Sequence, residues 1–397
     1  MIATIGNRED FAKFVEEIKK SDIYKEPLGF GICRVDRGQK NRDTILQATF
    51  PLVNWKENFG SAAVYLKALY ECNLEFDKNC SEAVFDITRE FVDNCLNAFA
   101  PYLTEAKADA HKNVQIIKYL DTVIDVECDS YKIVFLFEDD APKSVESVYL
   151  KLYALSLGKA PLRGVNLNGA FGILKNVAWS GNTPIELEWL RENELELKLS
   201  GEYPVIDSVD KFPRFLQHII PADNTRILDS SKVRFGAQLA AGTTVMPGAS
   251  YINFNAGTLG PVMVEGRISS SAVVGKGSDI GGGASILGVL SGTSGNPISI
   301  GENCLLGANS VTGIPLGDGC IVDAGIAVLE GTKFYMSQKD FDKIKEANPE
   351  WNVEYKEFFK GRELSGLNGL HFRQDSTTGQ MKVFRSNKEV KLNEELH

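Results

Sequence analysis

The chain has 397 residues, with 53 acidic and 43 basic side chains, a formal net charge of −10 and an isoelectric point near 5.2. This length exceeds one ordinary compact core and predicts about two to four domains. The negative charge argues against nucleic acid or an anionic membrane as a partner, and no apolar run approaches the roughly 20 residues that span a bilayer.

Cysteine usage and the first residues predict a cytoplasmic protein. The first residues, MIATIGNREDF, lack the basic and then apolar pattern of a signal peptide. The seven cysteines are odd in number and scattered without a C-x-x-C pair, which fits reduced thiols in the cytosol best. They are Cys33, Cys72, Cys80, Cys95, Cys128, Cys304 and Cys320.

The first half of the chain has mixed α/β character. Residues 1–125 predict an N-terminal α/β domain in which Asn7 caps a first helix, and segments 61–72 and 82–100 have the apolar spacing of further helices. A second α/β region is expected over 126–226, leading into the repeats that follow.

Three elements are expected within this second region. The apolar run 133–137 predicts a strand, and 143–157 a helix that stops at Gly158. The alternating leucines at 195, 197 and 199 are typical of a half-buried strand.

Residues 227–333 repeat with a period of six. A six-residue period gives one short strand and one corner per repeat, so three repeats make one triangular coil. The segment therefore predicts a parallel β-helix of about five to six coils. The repeating apolar positions are Ile227, Val233, Leu239, Val245, Tyr251, Val262, Ile268, Val274, Ile280, Ile286, Ile300, Leu306, Leu316, Val322 and Val328.

Two properties of the repeats bear on function. They are interrupted after Tyr251, Ile286 and Leu306, and such irregularities form loops that often carry function in solenoids. Residues 233–332 contain only nine charged side chains, so the flat faces are poor solvent surfaces. Burial against other subunits is expected, and a triangular cross-section suits a trimer.

Residues 334–397 predict a small C-terminal extension. Ser337 with Asp340 can cap a helix that ends before Pro349. The tail 366–395 has short strand patterns around a turn at 377–379.

The candidate chemistry rests on a carboxylate. The four histidines lie outside the repeats, which argues against a histidine base or a three-histidine zinc site there. Glu265 stands out beside Arg267 in the otherwise uncharged VEGRIS corner (264–269). Either the two form a surface ion pair, or Arg267 holds a carboxylate or phosphate ligand. Glycines 281–283 can expose backbone N–H groups, although corner glycines are also the structural default.

Three segments carry a specific resemblance to known proteins: FNAGTLGPVMVEGRISSSAVVGKGSDIGGGASILGVLSG (254–292), ISIGENCLLGANS (298–310) and KGRELSGLNGLHFRQDSTTG (360–379). They resemble one enzyme family, the longer form of tetrahydrodipicolinate N-succinyltransferase, and the resemblance covers about 230–380. The resemblance implies a left-handed parallel β-helix in a homotrimer, with active sites between subunits. It also implies small-molecule substrates: succinyl-CoA as co-substrate, and the amine of ring-opened tetrahydrodipicolinate as acceptor in diaminopimelate and lysine biosynthesis.

The same resemblance assigns the site. It implies that Glu265 is catalytic. It implies CoA contacts at Arg267, Gly282, Ser285, Ala308, Asp323, Ala324, Gly331, Lys360, Arg373, Gln374, Asp375 and Ser376. The family often has Glu at position 323 and Arg-Asn at 374–375. Its early acidic metal ligands have no counterpart in 230–236 or 245–251, so neither a metal nor a tightly bound cofactor is expected.

The residues leave several alternatives open. Glu265 can act as a general base or as a nucleophile, and corner N–H groups around Gly282 can stabilise an oxyanion. Lys360 and Arg373 suit phosphates. Other functions are a different CoA-dependent acyltransferase, such as tetrahydrodipicolinate N-acetyltransferase or an amino-sugar acyltransferase, and a non-enzymatic oligomerisation scaffold.

Overall fold

The computed structural model describes residues 1–127, 129–289, 295–386, 390 and 392. Cys128, His397 and the last residues of the segment 254–292 lie outside them. The chain forms two compact units: Met1–Ala154 with Val165–Phe212, and Leu155–Gly164 with Pro213–His397. The four regions predicted from the sequence are a finer division than these two units.

The first unit is built on an antiparallel sheet with strand order β2-β1-β5-β4, and β3 pairs with β1. A second sheet has the order β7-β6-β8. The elements are α1 (Arg8–Lys20), β1 (Gly29–Arg37), β2 (Ile45–Thr49), β3 (Asn54–Trp55), α2 (Phe59–Glu71), β4 (Glu82–Asp86), α3 (Arg89–Ala98), α4 (Lys112–Val123), β5 (Tyr131–Leu136), α5 (Val145–Ser156), α6 (Ala170–Ile173), β6 (Val177–Ser180), β7 (Thr183–Glu186), α7 (Leu187–Ser200) and β8 (Ser208–Asp210).

Aromatic and aliphatic side chains of α2, α3 and α4 pack against one face of the first sheet. Phe30 and Phe135 stack at 5.9 Å, and Tyr65 of α2 meets Phe30 edge-on at 6.1 Å. Asn7 caps α1 as predicted, because its side chain accepts the backbone N–H of Asp10. β5 is the central partner of β1 and β4, so residues after 126 complete the sheet that the preceding residues begin.

Two expectations for this unit are wrong. Residues 195–199 belong to α7, not to a strand: the segment is rich in Leu, Glu and Lys, which favour helix. Leu195 and Leu199 are 79% and 88% exposed, so their alternation does not mark a buried face. The helix expected over 82–100 starts only at Arg89, because 82–86 form strand β4.

The second unit contains a coil of short parallel strands on three faces. The first face has the order β9-β10-β13-β16-β19-β21, the second β11-β14-β17-β20-β22, and the third β12-β15-β18. The strands are β9 (Arg226–Ile227), β10 (Thr244–Val245), β11 (Tyr251–Ile252), β12 (Gly257–Thr258), β13 (Met263–Val264), β14 (Arg267–Ile268), β15 (Val273–Val274), β16 (Asp279–Ile280), β17 (Ser285–Ile286), β18 (Ser299–Ile300), β19 (Leu305–Leu306), β20 (Val311–Thr312), β21 (Ile321–Val322) and β22 (Ala327–Val328).

In each two-residue strand of the first face, the second side chain fills the core of the coil, as the hexad pattern predicts. Val245, Val264, Ile280, Leu306 and Val322 stack along the first face and are fully buried. The parallel β-helix inferred from the period of six is therefore confirmed.

The first interruption of the six-residue repeat lies at a different place from the predicted one. Ile252, not Tyr251, is the fully buried side chain of β11, and Thr258 and Val264 follow at intervals of six. Val245 and Ile252 are seven residues apart, and the shortened step comes later, between Val264 and Ile268, which are only four residues apart. The shortened corner is therefore Glu265–Arg267 itself.

The C-terminal extension continues the first face. Its elements are β23 (Lys333–Tyr335), α8 (Gln338–Ala347), β24 (Phe358–Lys360), β25 (Leu370–Gln374) and β26 (Met381–Arg385). β25 pairs in parallel with β21, and β25 and β26 form an antiparallel hairpin around the predicted turn. Ser337 caps α8 by accepting the N–H of Asp340. Within the described residues, no helix is both long and apolar enough to cross a membrane.

Candidate active site

The corner that follows the first face carries a column of predicted site residues. Val264, Ile280, Leu306, Val322 and Phe372 are register partners on successive strands. The residues that directly follow these five therefore stack in the same order. The first four of them each donate a backbone N–H to a carbonyl of the next strand in the stack, at 2.8 to 3.0 Å. At about 4.8 Å per strand, this first column extends roughly 19 Å. It consists of Glu265, Gly281, Gly307, Asp323 and Arg373.

A second column lies one residue further along each strand. It contains Gly282, Ala308, Ala324 and Gln374, so its first three members have almost no side chain. The carbonyls of Gly282 and Ala308 each accept a backbone N–H from the adjoining coil at 2.9 Å. The two columns together bring most of the sequence-predicted site residues onto one ridge of the β-helix.

The shortened corner at the head of the ridge requires glycine in its middle. A Cβ on Gly266 would lie 2.3 Å from the carbonyl oxygen of Ala284, closer than any side chain can approach. This tight turn separates Glu265, which is half-buried, from Arg267, which is exposed at the start of β14. Among the described residues neither side chain has an ion-pair or hydrogen-bond partner, so the surface ion pair considered from the sequence is not formed within the chain.

The Glu265 carboxylate faces Gly282. A Cβ built on Gly282 would lie 3.8 Å from Oε2 of Glu265. The N–H groups of Gly281 and Gly283 donate to Leu306 and Glu265 carbonyls. The N–H of Gly282 donates to no acceptor in the part of the chain that the structure describes. Glu265 thus lies close to a residue whose N–H is not used among the described residues, a combination that can serve an acyl transfer.

Arg267 and Ser285 are direct register partners on β14 and β17 of the second face. Neighbouring strands are about 4.8 Å apart, so the two outward side chains are adjacent. Ser285 is only 5% exposed, whereas Arg267 is open to solvent. The predicted site therefore continues around the corner from Glu265 onto the second face.

Asp323 is bound from two sides at the far end of the first column. Its Oδ1 lies 2.7 Å from Nε2 of His371, and its Oδ2 accepts a hydrogen bond of 2.5 Å from Nε of Arg373. Burial opposes the charged form, but the hydrogen bonds from Arg373 and His371 outweigh it, and the pKa of Asp323 is lowered. His371 was not predicted from the sequence, because its contact with Asp323 depends on the pairing of β25 with β21.

The remaining tail residues lie apart from this cluster. Lys360 is on β24, three strands from β25 in the sheet order, and the following N–H of Gly361 donates to Thr332 beside Gly331. The Asp375 carboxylate accepts from Lys382 at 2.6 Å and from Thr377, which hold its pKa well below the usual range. Those contacts close the β25–β26 turn, in which Ser376 is exposed.

Along the ridge, Ala308, Ala324, Arg373 and Gln374 are exposed to solvent in the single chain. A cavity of about 500 Å³ lies in the first unit, between β1, β5 and α4. Within the described residues, no group of three or more His, Cys, Asp or Glu side chains could hold a metal ion. The absence of a metal or tightly bound cofactor stays a prediction.

Comparisons with known proteins agree with this architecture. Family models described as tetrahydrodipicolinate N-succinyltransferase N-terminal and middle match residues 9–172 and 174–214, and one described as hexapeptide repeat of succinyl-transferase matches 297–330. The 2,3,4,5-tetrahydropyridine-2,6-dicarboxylate N-succinyltransferase of Nitratiruptor sp. is 79% identical, over 99% of this chain and 100% of that protein. The enzyme of the same name from Helicobacter pylori is 53% identical, over 98% of this chain and 99% of that protein.

A solved structure gives the same picture. The crystal structure of a candidate 2,3,4,5-tetrahydropyridine-2-carboxylate N-succinyltransferase from Campylobacter jejuni is 59% identical with a TM-score of 0.92. The match covers 98% of this chain and 100% of that one. Fold and repeats thus define a transferase of the hexapeptide-repeat class. Within that class, the chain belongs to the tetrahydrodipicolinate N-succinyltransferase family, which confirms the resemblance seen in the sequence.

Proposed function

We propose that the chain transfers the succinyl group of succinyl-CoA to the amine of ring-opened tetrahydrodipicolinate, 2-amino-6-oxopimelate. This is a step of diaminopimelate and lysine biosynthesis in the cytoplasm. The observation that carries the proposal is the full-length identity of 79% to a relative of that name. The relatives' shared name favours succinyl transfer over the acetyl and amino-sugar alternatives.

Glu265 acts as the general base in this proposal. The neutral amine attacks the thioester carbonyl, a C–N bond forms, and the amine proton passes to the Glu265 carboxylate. The tetrahedral intermediate then collapses, the C–S bond breaks, and CoA leaves as a thiol after taking up a proton. The N–H of Gly282 stabilises the oxyanion, since it lies beside Glu265 and has no acceptor among the described residues.

The co-substrate lies along the two columns. The small residues Gly282, Ala308 and Ala324 leave room for an extended chain against the backbone, over a length of roughly 10 Å at the usual strand spacing. Arg373 and Lys360 supply positive charge for phosphates, and Arg267 binds a carboxylate of the succinyl group or acceptor. The other proposed CoA contacts are Ser285, Asp323, Gly331, Gln374, Asp375 and Ser376.

The active enzyme is a homotrimer of left-handed β-helices with sites between subunits. The open ridge supports this, because catalysis needs a site from which water is excluded. The low charge of the repeats and the exposed leucines Leu259 and Leu329 at their corners also favour burial against another subunit. Small molecules are the ligands that this arrangement requires, and the net charge of −10 argues against nucleic acid as a partner.

Release of free CoA thiol tests the proposed function. The expected result is release from succinyl-CoA that depends on tetrahydrodipicolinate, with little release from acetyl-CoA. Acceptor-dependent release from acetyl-CoA instead would place the chain in an acetylating activity. No release from either thioester would contradict the proposal and favour a scaffold.

A further inference from the structure

His371 is buried in the hairpin that extends the first face. Phe372 points into the core as the partner of Val322, so His371 and Arg373 share the opposite side of β25. His371 is only 3% exposed, and Phe384, its register partner on β26, covers its ring at a centroid distance of 4.5 Å. A buried imidazole needs a polar partner.

Asp323 is that partner. Nε2 of His371 lies 2.7 Å from Oδ1 of Asp323. Because an ionised carboxylate only accepts hydrogen bonds, Nε2 carries the proton and donates it. The second oxygen, Oδ2, accepts the bond from Nε of Arg373. Asp323 therefore links the buried imidazole to the guanidinium.

Arg373 is held in one orientation by this link. Its Cζ lies 5.5 Å from the centre of the Phe384 ring, and its Nε is bound to Asp323. Nη2 of the guanidinium lies 3.5 Å from Nε2 of His371, whereas Nη1 has no hydrogen-bond partner among the described residues. The Nη1 side of the guanidinium is thus left for an anion such as a phosphate.

The exposure of Asp323 and Arg373 indicates why a third residue is needed to fix their geometry. The side chains of Asp323 and Arg373 are 31% and 47% exposed, and an ion pair of this exposure fixes geometry only weakly. His371 binds the same carboxylate from the buried side, at 4% side-chain exposure. The rigid group of the network is therefore the imidazole.

We propose that His371 is a positioning residue for the co-substrate: it fixes Asp323, which holds the Arg373 guanidinium towards a phosphate of CoA. The inference rests on the proposed function, because it concerns the binding of the CoA part of succinyl-CoA. His371 touches neither the thioester nor the amine, so it acts on binding and not on the chemical step.

Binding of CoA to His371→Leu and His371→Gln, measured by titration calorimetry, tests the inference. Leucine has a similar size but no hydrogen-bond donor. CoA should therefore bind about 10-fold more weakly, which corresponds to about 1.4 kcal/mol of binding free energy. Glutamine can place its amide N–H near Nε2 and should restore binding to within about 3-fold, by keeping the charge-assisted bond. In turnover, His371→Leu should raise the KM for succinyl-CoA and leave kcat within about 2-fold.

A double-mutant cycle with Arg373→Gln separates positioning from a general structural role. If His371 acts through Arg373, adding His371→Leu to Arg373→Gln should not weaken CoA binding further. An equal loss in both backgrounds, or equal CoA affinity of His371→Leu and the wild type, would overturn the inference. Should His371→Leu not fold, His371→Asn, whose shorter side chain does not reach Asp323, must show the same 10-fold loss. Failure of the wild type to bind CoA would instead overturn the proposed function.

Discussion

At the scale of single residues, the corner Glu265–Gly266–Arg267 determines what the ridge can do. The four-residue step from Val264 to Ile268 leaves no room for a side chain at position 266 and sets Glu265 against Gly282. A carboxylate beside an available N–H can accept the proton of an amine and leave the N–H for a developing oxyanion.

Gly266→Ala tests this geometry. The added Cβ would meet the Ala284 carbonyl at 2.3 Å, so the backbone must shift and the free energy of unfolding should fall by about 1–3 kcal/mol. Urea unfolding measures the change. Gly6→Ala is the control, since nothing lies within 4 Å of its new methyl group, and it should change stability by less than about 0.5 kcal/mol. Equal effects of the two substitutions would refute the steric account.

Gly282→Ala tests the space beside Glu265. Its Cβ meets Glu265 Oε2 at 3.8 Å, an ordinary contact, so the variant should fold with an unchanged melting temperature. The methyl group would occupy the space of the reacting carbonyl, and kcat/KM should fall at least about 10-fold, which is about 1.4 kcal/mol of transition-state stabilisation. Wild-type kcat/KM in this variant would remove Gly282 from the site.

At the scale of elements, register could be predicted only where the hexads are regular. The period of six predicts the strands and their buried side chains, and capping by Asn7 and Ser337 follows from local chemistry. The shortened corner escaped the analysis, because Tyr251 mimics the apolar position that Ile252 fills. His371 escaped it because the pairing of β25 with β21 joins residues about 50 positions apart, which no local pattern encodes.

The Asp323 link also predicts a pH dependence. Its pKa is lowered in the folded chain, so the stabilising contribution is present above the unfolded pKa of about 3.9 and is lost as pH falls through the folded value. Asp323→Asn should therefore be less stable than the wild type at pH 7, by about 1–3 kcal/mol for charged hydrogen bonds. Chemical denaturation from pH 7 to pH 3 should show this difference shrinking; a constant difference would contradict the assignment.

A second element depends on a buried cation. Lys151 of α5 is 1% exposed and binds Asp139, the carbonyl of Asp140 and the carbonyl of Asn166 at 2.8 Å. Lys151→Met removes the donor to all three acceptors, but Asp139 keeps the N–H of Asn166 and is 34% exposed, so the free energy of unfolding should fall by about 1–3 kcal/mol. The exposed Lys343→Met serves as the control. A loss below about 1 kcal/mol in urea unfolding would show that water replaces the ammonium without cost.

At the scale of the whole molecule, several residues of the ridge are exposed in the single chain, where catalysis needs an enclosed site. The low charge and triangular cross-section of the repeats predict burial against other subunits, and this stays a prediction. The first unit could be assigned only α/β character from the sequence, because the long-range pairing of β1 with β5 has no repeat to reveal it. Sedimentation should give about 131 kDa, three times the 43.7 kDa chain. A fully active monomer would contradict the proposed site between subunits.

Steady-state turnover of Glu265→Gln tests the central claim most directly. The amide keeps the shape and cannot take the amine proton, so kcat for succinyl transfer should fall about 100-fold or more while CoA affinity and melting temperature stay those of the wild type. Glu302→Gln, a carboxylate of the next coil that pairs with Lys276 at 3.4 Å, is the matched control and should keep wild-type kcat. A Glu265→Gln variant with near wild-type kcat would contradict the account.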